Sequence, residues 1–376
     1  MTHASPKLAM IGFRSGAGGI GRVMTTLING LLARSIAVDL LIPSRDHPDL
    51  EAIDDKVGLF EIDVADRAAA SRLLKGYLED NSPQAILSNK DQSNLLLKRN
   101  LIGAGRPLTA FRVGINVPEK LRHNSPLTAY WKQRRLKRLY LDADILIGNS
   151  SGVSNALERM LGENRTRVTT RPKITTIWNP VDQERITQMA AESTSHPWLT
   201  DKHQPIIVAV GRLVRQKNHA LLLRAFARLT RKIDARLIIC GTGRKRDRLS
   251  GLSQQLGIAD RVDLVGYQKN PFPYIAAADL FVCSSRFEGS NNALMEALTL
   301  GTPCVSTDCP SGARDILDNG ELGALVPVND PNALAAAMQS MLQRPTDPQR
   351  LRAGAERFNA EASAAHYADV LGLRAP

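Results

Sequence analysis

Residues 279–307 read DLFVCSSRFEGSNNALMEALTLGTPCVST. The apolar run DLFVCS (279–284) is a strand, a helix starts near Asn291, and PCVST (303–307) is a second strand. Apolar strands joined through a helix form a parallel βαβ unit whose sheet is buried on both faces. Glu288 lies in the Gly-containing loop at the edge of the first strand, and Glu296 follows eight residues later on the helix. Gly289, Ser290, Asn291 and Asn292 place backbone N–H groups at the helix N-terminus, where an anion is favoured.

The same alternation extends in both directions. Downstream of residue 200 it runs through PIIVAVG (205–211), ARLIIC (235–240), VDLVG (262–266), the pair above and GALV (323–326). Upstream it runs through KLAMIGF (7–13), AVDLLI (37–42), AILS (85–88), LTAFRVGI (108–115), DILIGN (144–149) and ITTIW (174–178). NPVD (179–182) interrupts regular structure between the two series, as an Asn-Pro turn does. The fold class is therefore α/β, with two doubly wound, Rossmann-like parallel sheets in domains 1–178 and 183–357. A cleft between such domains is the natural ligand site. The tail FNAEASAAHYADVLGL (358–373) is helical, with Asn359 placed to cap it and Ala362, Ala365, Tyr367 and Val370 as its apolar face.

Composition narrows the function classes. With 376 residues and 43% hydrophobic content, the chain can bury a large core in about two domains. No stretch of about 18 uncharged apolar residues occurs, so no membrane-spanning helix is expected, and MTHASPKLAMIGF reads as a first strand, not a signal peptide. Cys240, Cys283, Cys304 and Cys309 form no C-x-x-C pair, which points to reduced, buried thiols and a cytosolic setting. A net charge of +12 attracts phosphate, whether of nucleic acid, anionic lipid or nucleotide.

SGAGGIGRV (15–23) carries G-x-G-x-x-G at Gly16, Gly18 and Gly21, which raises an NAD(P)-dependent oxidoreductase as an alternative. That fingerprint needs an acidic residue at the tip of the second strand to read the ribose. Here Pro43 and Ser44 occupy the tip, and Asp46 is misplaced. The loop can instead turn its N–H groups toward a phosphate or sugar at a helix N-terminus. A basic nucleic-acid-binding protein is the other alternative, but no known reader motif is present and nucleic acid is not an expected partner.

VAVGRLVRQKNHALLLRAF puts Arg212 and Lys217 just past a strand, over the edge where open α/β sheets bind ligands. Two cations and a helix N-terminus suit a diphosphate. Together with GTGRKRDRL (241–249), NPVD, GAGGIG, ADILIGNSSGVSNAL (143–157) and the long stretch from VGYQKNPF to ARDIL, these residues carry a resemblance. The chain resembles GT-B-fold retaining glycosyltransferases of family 4, of the kind that build bacterial surface polysaccharide. The match is long and ordered in the second domain and thin in the first.

The resemblance implies roles. Arg212 and Lys217 would bind the donor diphosphate; Glu288, helped by N–H groups from Gly289 to Asn292, would bind the donor sugar. Glu296 would hold the ribose, Tyr267 and Gln268 would lie near the base, and Gly18 and Gly19 would approach the diphosphate. It implies that the tail, 358–376, packs back on the first domain. Partners would be a nucleotide sugar, first of all a UDP sugar, and a glycan or lipid-linked acceptor. No cofactor is implied and no metal is expected, since no D-x-D loop or His/Cys cluster with ligand spacing occurs. Relatives often carry a His after the fourth strand of the first domain; here Asn116 stands near that place and His123 comes later, both on the acceptor side.

Residues 121–141 concentrate Arg122, Lys132, Arg134, Arg135, Lys137 and Arg138 among Leu127, Tyr130, Trp131, Leu136, Leu139 and Tyr140. Such a helix either docks on an anionic membrane surface, here the inner face of the cell membrane, or turns its apolar stripe into the core.

Overall fold

A computed structural model of the chain describes residues 6–12, 19–45, 50, 53–101, 103, 105–122, 124–162 and 171–374. It divides into two compact units, Met1–Pro180 with Ala360–Pro376, and Val181–Asn359. Among the described residues, the first unit holds β1 (Lys7–Ile11), β2 (Ala37–Ile42), β3 (Gly58–Glu61), β4 (Ala85–Ser88), β5 (Leu108–Val113), β6 (Ile145–Gly148) and β7 (Lys173–Thr176). They form one parallel sheet in the order β3-β2-β1-β4-β5-β6-β7. The second unit holds β8 (Ile206–Val210), β9 (Arg236–Cys240), β10 (Val262–Gly266), β11 (Leu280–Cys283), β12 (Cys304–Thr307) and β13 (Ala324–Val326), all parallel, in the order β10-β9-β8-β11-β12-β13.

Both sheets are doubly wound because their central strands are apolar on both faces. In the first, Leu8 and Met10 pack with the helix Gly19–Ala33 on one side, while Ala9 and Ile11 join the helices Arg67–Asn81, Asp91–Asn100 and Ser151–Leu161 on the other. In the second, Ile207 and Ala209 pack under the helices His219–Leu229 and Pro331–Gln343. The strand order reverses between β1 and β4 and again between β8 and β11. In such sheets, ligands sit beyond the strand C-termini at that reversal.

The last helix, Ala360–Val370, belongs to the first unit and packs beside Gly19–Ala33. Its buried face is Ser363, Ala364, Tyr367 and Ala368, continued by Leu371 and Leu373. The expected stripe is therefore out of phase: Ala362 is exposed and Ala365 half-buried. The phase is set by Tyr367, whose hydroxyl accepts a bond from buried Arg112 Nε on β5 at 3.1 Å. Arg112 also donates to Asn179 Oδ1, so one guanidinium ties the sheet, the tail helix and the end of the first unit together.

The strand β3 has no counterpart among the strands expected from sequence. Its GLFE is a sheet-edge strand, half-buried along most of its length, with no continuous apolar run to mark it. Four cysteines are free and buried.

Candidate functional site

The reversal between β8 and β11 is built from two loops. After β8 come Gly211 to Asn218, leading into the helix His219–Leu229; after β11 come Ser284 to Asn291, leading into the helix Asn292–Leu300. Hydrogen bonds lace the loops together. Arg286 N–H donates to the Gln216 carbonyl at 2.8 Å, and Ser284 Oγ donates to the Lys217 carbonyl at 3.0 Å. Glycine makes the first loop possible. A Cβ on Gly241 would stand 2.0 Å from the Gly211 carbonyl oxygen, so the loops after β8 and β9 touch backbone to backbone. A Cβ on Gly211 would press on Lys217 Cγ, Cδ and Cε at 3.1–3.3 Å; the bare backbone is the bed for the lysine stem.

That stem carries the ammonium into the reversal. Lys217 Nζ lies 2.8 Å from Glu288 Oε1, and both side chains are largely buried. Burial works against the charged lysine, but the adjoining Glu288 carboxylate outweighs it and holds the Lys217 pKa above its ordinary value. Glu288 is gripped by two further donors, Ser285 Oγ to Oε1 at 2.6 Å and Gln216 Nε2 to Oε2 at 3.0 Å. Arg212, from the same loop as Lys217, is exposed. Arg215 and Arg286 add two more cations on the two loops; burial and then the neighbouring Arg215 lower the Arg286 pKa from its ordinary value. The two loops thus carry four cations and one buried carboxylate, which Lys217 contacts, and an anion of more than one charge is the ligand such a field attracts.

The other residues singled out in the second unit are distributed around this centre. Glu296 is buried on the helix Asn292–Leu300. Asn291 precedes that helix; its side chain does not cap it but donates to Cys283 Sγ at 2.7 Å. Gly289 is buried, Ser290 and Asn292 half-buried. Tyr267 and Gln268 follow β10, the edge strand two places from β8; Tyr267 is 52% exposed, and Gln268 Nε2 donates to the Val265 carbonyl at 3.0 Å. In the first unit, buried Asn116 is the N-cap of the short helix Val117–Leu121 and accepts from Glu119 N–H at 3.2 Å. Gly19 opens the helix Gly19–Ala33. Gly18 and His123 lie outside the described residues.

Gln216, Ser285, Arg215 and Arg286 go unnoticed in the sequence. Each is a single polar residue in a loop, without periodicity or motif spacing to mark it; only the fold reveals that Gln216 and Ser285 meet one carboxylate and that Arg215 and Arg286 neighbour each other on the two loops.

The basic stretch forms the helix Pro126–Tyr140. Only Leu139 and Tyr140 are buried in it, whereas Leu127, Tyr130 and Trp131 are 68%, 53% and 58% exposed. Residues 127, 130, 131, 134 and 138 share one face at helical spacing, so Arg134 and Arg138 continue the exposed aromatic stripe. Of the two alternatives for this helix, burial of the apolar stripe holds for Leu139 and Tyr140 and not for Leu127, Tyr130 and Trp131.

Two doubly wound sheets, each with its reversal, define the GT-B architecture. Solved structures agree across the chain: Alr3699/HepE of Anabaena in complex with UDP and glucose superimposes with TM-score 0.76 at 18% identity, covering 98% of this chain and 99% of that one. A sucrose-phosphate synthase of Thermosynechococcus elongatus does so at TM-score 0.76 and 20% identity, covering 97% and 98%. At such identities the likeness shows the fold alone.

Sequence profiles show the family. Residues 17–185 match the profile of Glycosyltransferase Family 4 and residues 191–358 that of Glycosyl transferases group 1, and the chain belongs to these glycosyltransferases. It is 37% identical over 205 residues to the N-acetylgalactosamine-N,N'-diacetylbacillosaminyl-diphospho-undecaprenol 4-alpha-N-acetylgalactosaminyltransferase of Campylobacter jejuni, a match covering 54% of this chain and 52% of that protein. It is 34% identical over 143 residues to the lipopolysaccharide core biosynthesis glycosyltransferase LpsE of Rhizobium meliloti, covering 38% and 41%. The chain thus spans about half the length, or less, of these curated relatives. No helix among the described residues is long and apolar enough to cross a membrane.

Proposed function

We propose that the chain transfers a sugar from a nucleoside-diphosphate sugar, UDP-linked, to a glycan or lipid-linked acceptor in surface polysaccharide biosynthesis, with retention of anomeric configuration. The observation that carries the reading is the Lys217–Glu288 pair at the strand reversal of the second sheet, on loops that also bear Arg212, Arg215 and Arg286. In this reading the cations bind the diphosphate and stabilise the charge that grows on it as the sugar departs. Glu288 bonds the donor sugar, Glu296 the ribose, and Tyr267 and Gln268 flank the base. The first unit takes the acceptor. The UDP of the Anabaena complex and the diphospho-undecaprenol in the Campylobacter enzyme's name support these substrate classes.

Retention has two routes. A covalent route needs a carboxylate nucleophile, which in retaining glycosidases is one of two carboxylates about 5–5.5 Å apart. Glu288 suits that poorly, because Lys217, Ser285 and Gln216 already engage its oxygens. The proposed route is a front-face reaction. The bond from the anomeric carbon to the diphosphate oxygen breaks, the acceptor oxygen forms the new bond on the same face, and its proton passes to the departing diphosphate. Because side-chain cations meet the diphosphate charge, no divalent ion is required.

Proton NMR of the product from a UDP-hexose, with EDTA present, tests both points. The anomer of the donor is expected at undiminished rate. An inverted product would overturn the mechanism, and loss of activity restored by magnesium would overturn the metal independence.

An oxidoreductase reading gains no support. The acid that β2 itself supplies, Asp39, sits in mid-strand and is engaged by Tyr77 at 2.8 Å and Lys7 at 3.4 Å. The exposed aromatic and basic face of Pro126–Tyr140 supports a further element of the proposal: docking on an anionic membrane surface, with Trp131 and Tyr130 at the headgroups.

A further inference from the structure

Glu288 does not hold its position alone. Its carboxylate offers about four acceptor positions, two on each oxygen. Lys217 Nζ and Ser285 Oγ fill those of Oε1, at 2.8 and 2.6 Å. Ser285 is itself fixed, fully buried, with its carbonyl accepting from Thr307 Oγ1 at 2.6 Å. Among the described residues, Oε2 accepts one bond, from Gln216 Nε2 at 3.0 Å, and keeps one position open. Gln216 belongs to the loop after β8, and its carbonyl accepts from Arg286 N–H on the loop that carries Glu288. That bond is main chain to main chain, so the backbone from which the Gln216 amide extends is tied to the loop whose carboxylate the amide bonds.

We infer that Gln216 is a positioning residue that fixes the plane of the Glu288 carboxylate, so that Oε2 presents a single acceptor position to one hydroxyl of the transferred sugar. This rests on the proposed role of Glu288. Without the amide, Oε1 remains tethered but the carboxylate turns about that tether, and the open position no longer points one way. The loss falls on the sugar and not on the nucleotide, because among the described residues the side chain of Gln216 bonds Glu288 and its main-chain carbonyl the backbone of Arg286.

Two variants separate positioning from mere structure. Gln216→Met keeps the length and removes the donor. Gln216→Glu places a second carboxylate against Glu288, and two such groups in contact resist being ionised together. Among the described residues, the charged and titratable groups near position 216 are Glu288 and Lys217, Arg212, Arg215 and Arg286 on the two loops, and buried His219, Cys283 and Cys309, which interact with Lys217. When protonated, the introduced carboxyl donates to Oε2 as the amide does.

The measurement is UDP release from UDP-glucose, UDP-galactose, UDP-N-acetylglucosamine and UDP-N-acetylgalactosamine, with calorimetry of bare UDP alongside. Gln216→Met is expected to lower kcat/KM about tenfold to a hundredfold, the effect of one hydrogen bond to a charged group, while UDP binds as before. Gln216→Glu is expected to be weak at neutral pH and to recover as pH falls, where the native protein shows no such rise. Native kcat/KM in Gln216→Met, weakened UDP binding in it, or a Gln216→Glu profile parallel to the native one would each overturn the inference. Glu288→Gln tells the two levels apart. If it transfers normally, the reading of Glu288 itself fails; if it is inactive while Gln216→Met is normal, only the role of Gln216 fails.

Discussion

Glu288 and Glu296 are eight residues apart, and the structure gives them different surroundings. Glu288 sits in the loop against a lysine, and Glu296 is buried a turn inside the helix that follows. If they act on different parts of the donor, calorimetry with bare UDP distinguishes them. Glu296→Ala should weaken UDP binding through lost ribose bonds, whereas Glu288→Ala should leave it near native and lower transfer; the reverse pattern would mean the roles are exchanged. His219, just beyond Lys217, makes a separate prediction. Burial first, then the nearby Lys217 charge, lower its pKa to about 4, so the folded protein keeps it neutral. The unfolded chain binds a proton there near pH 6.5. The stabilisation is therefore complete above about pH 6.5 and is lost as pH falls toward 4. At pH 4.5 the loss is about 2–3 kcal/mol. Urea unfolding at pH 7 and 4.5 should show His219→Leu escaping that part of the acid destabilisation, and an equal drop in both proteins would count against it. The placing of Glu288 in a loop and Glu296 on a helix is legible in the sequence, whereas the burial of His219, one histidine of seven, is not.

At the scale of elements, strands are the most legible part. The four inner strands of the second sheet, β9, β8, β11 and β12, stand out as apolar runs, because a parallel strand covered on both faces has no polar side to dilute the signal. The edge strand β3 lacks that cover and lacks the signal. Helix faces are harder. The tail helix is Ala-rich, so its apolar residues fit more than one stripe, and only the Arg112–Tyr367 bond picks the buried one. In Pro126–Tyr140 the composition fits either burial or docking, and exposure of Leu127, Tyr130 and Trp131 favours docking. The full chain should then sediment with vesicles rich in anionic lipid at low salt and come off as salt rises, since screening shortens the attraction. Replacing Arg134, Arg135, Lys137 and Arg138 with Ser should abolish sedimentation and spare activity on a short soluble acceptor. Continued sedimentation of that variant would remove the membrane from the account and leave the chemistry untouched.

The whole molecule repeats one plan, a parallel sheet whose order reverses beside its first strand, and the second copy concentrates charge at the reversal. The central claim is that this charge serves a departing nucleoside diphosphate. Mutation of the two loop cations tests it most directly, by UDP release from the UDP-sugar the native protein uses best, measured in EDTA. Removing one donor to charge that develops in a transition state lowers turnover about a hundredfold to a thousandfold. Lys217→Ala and Arg212→Ala should each show a loss of that order, and Arg212→Lys should restore only part of it, because a point charge does not replace a planar fork of donors. Native UDP release by correctly folded Lys217→Ala and Arg212→Ala proteins would contradict the account.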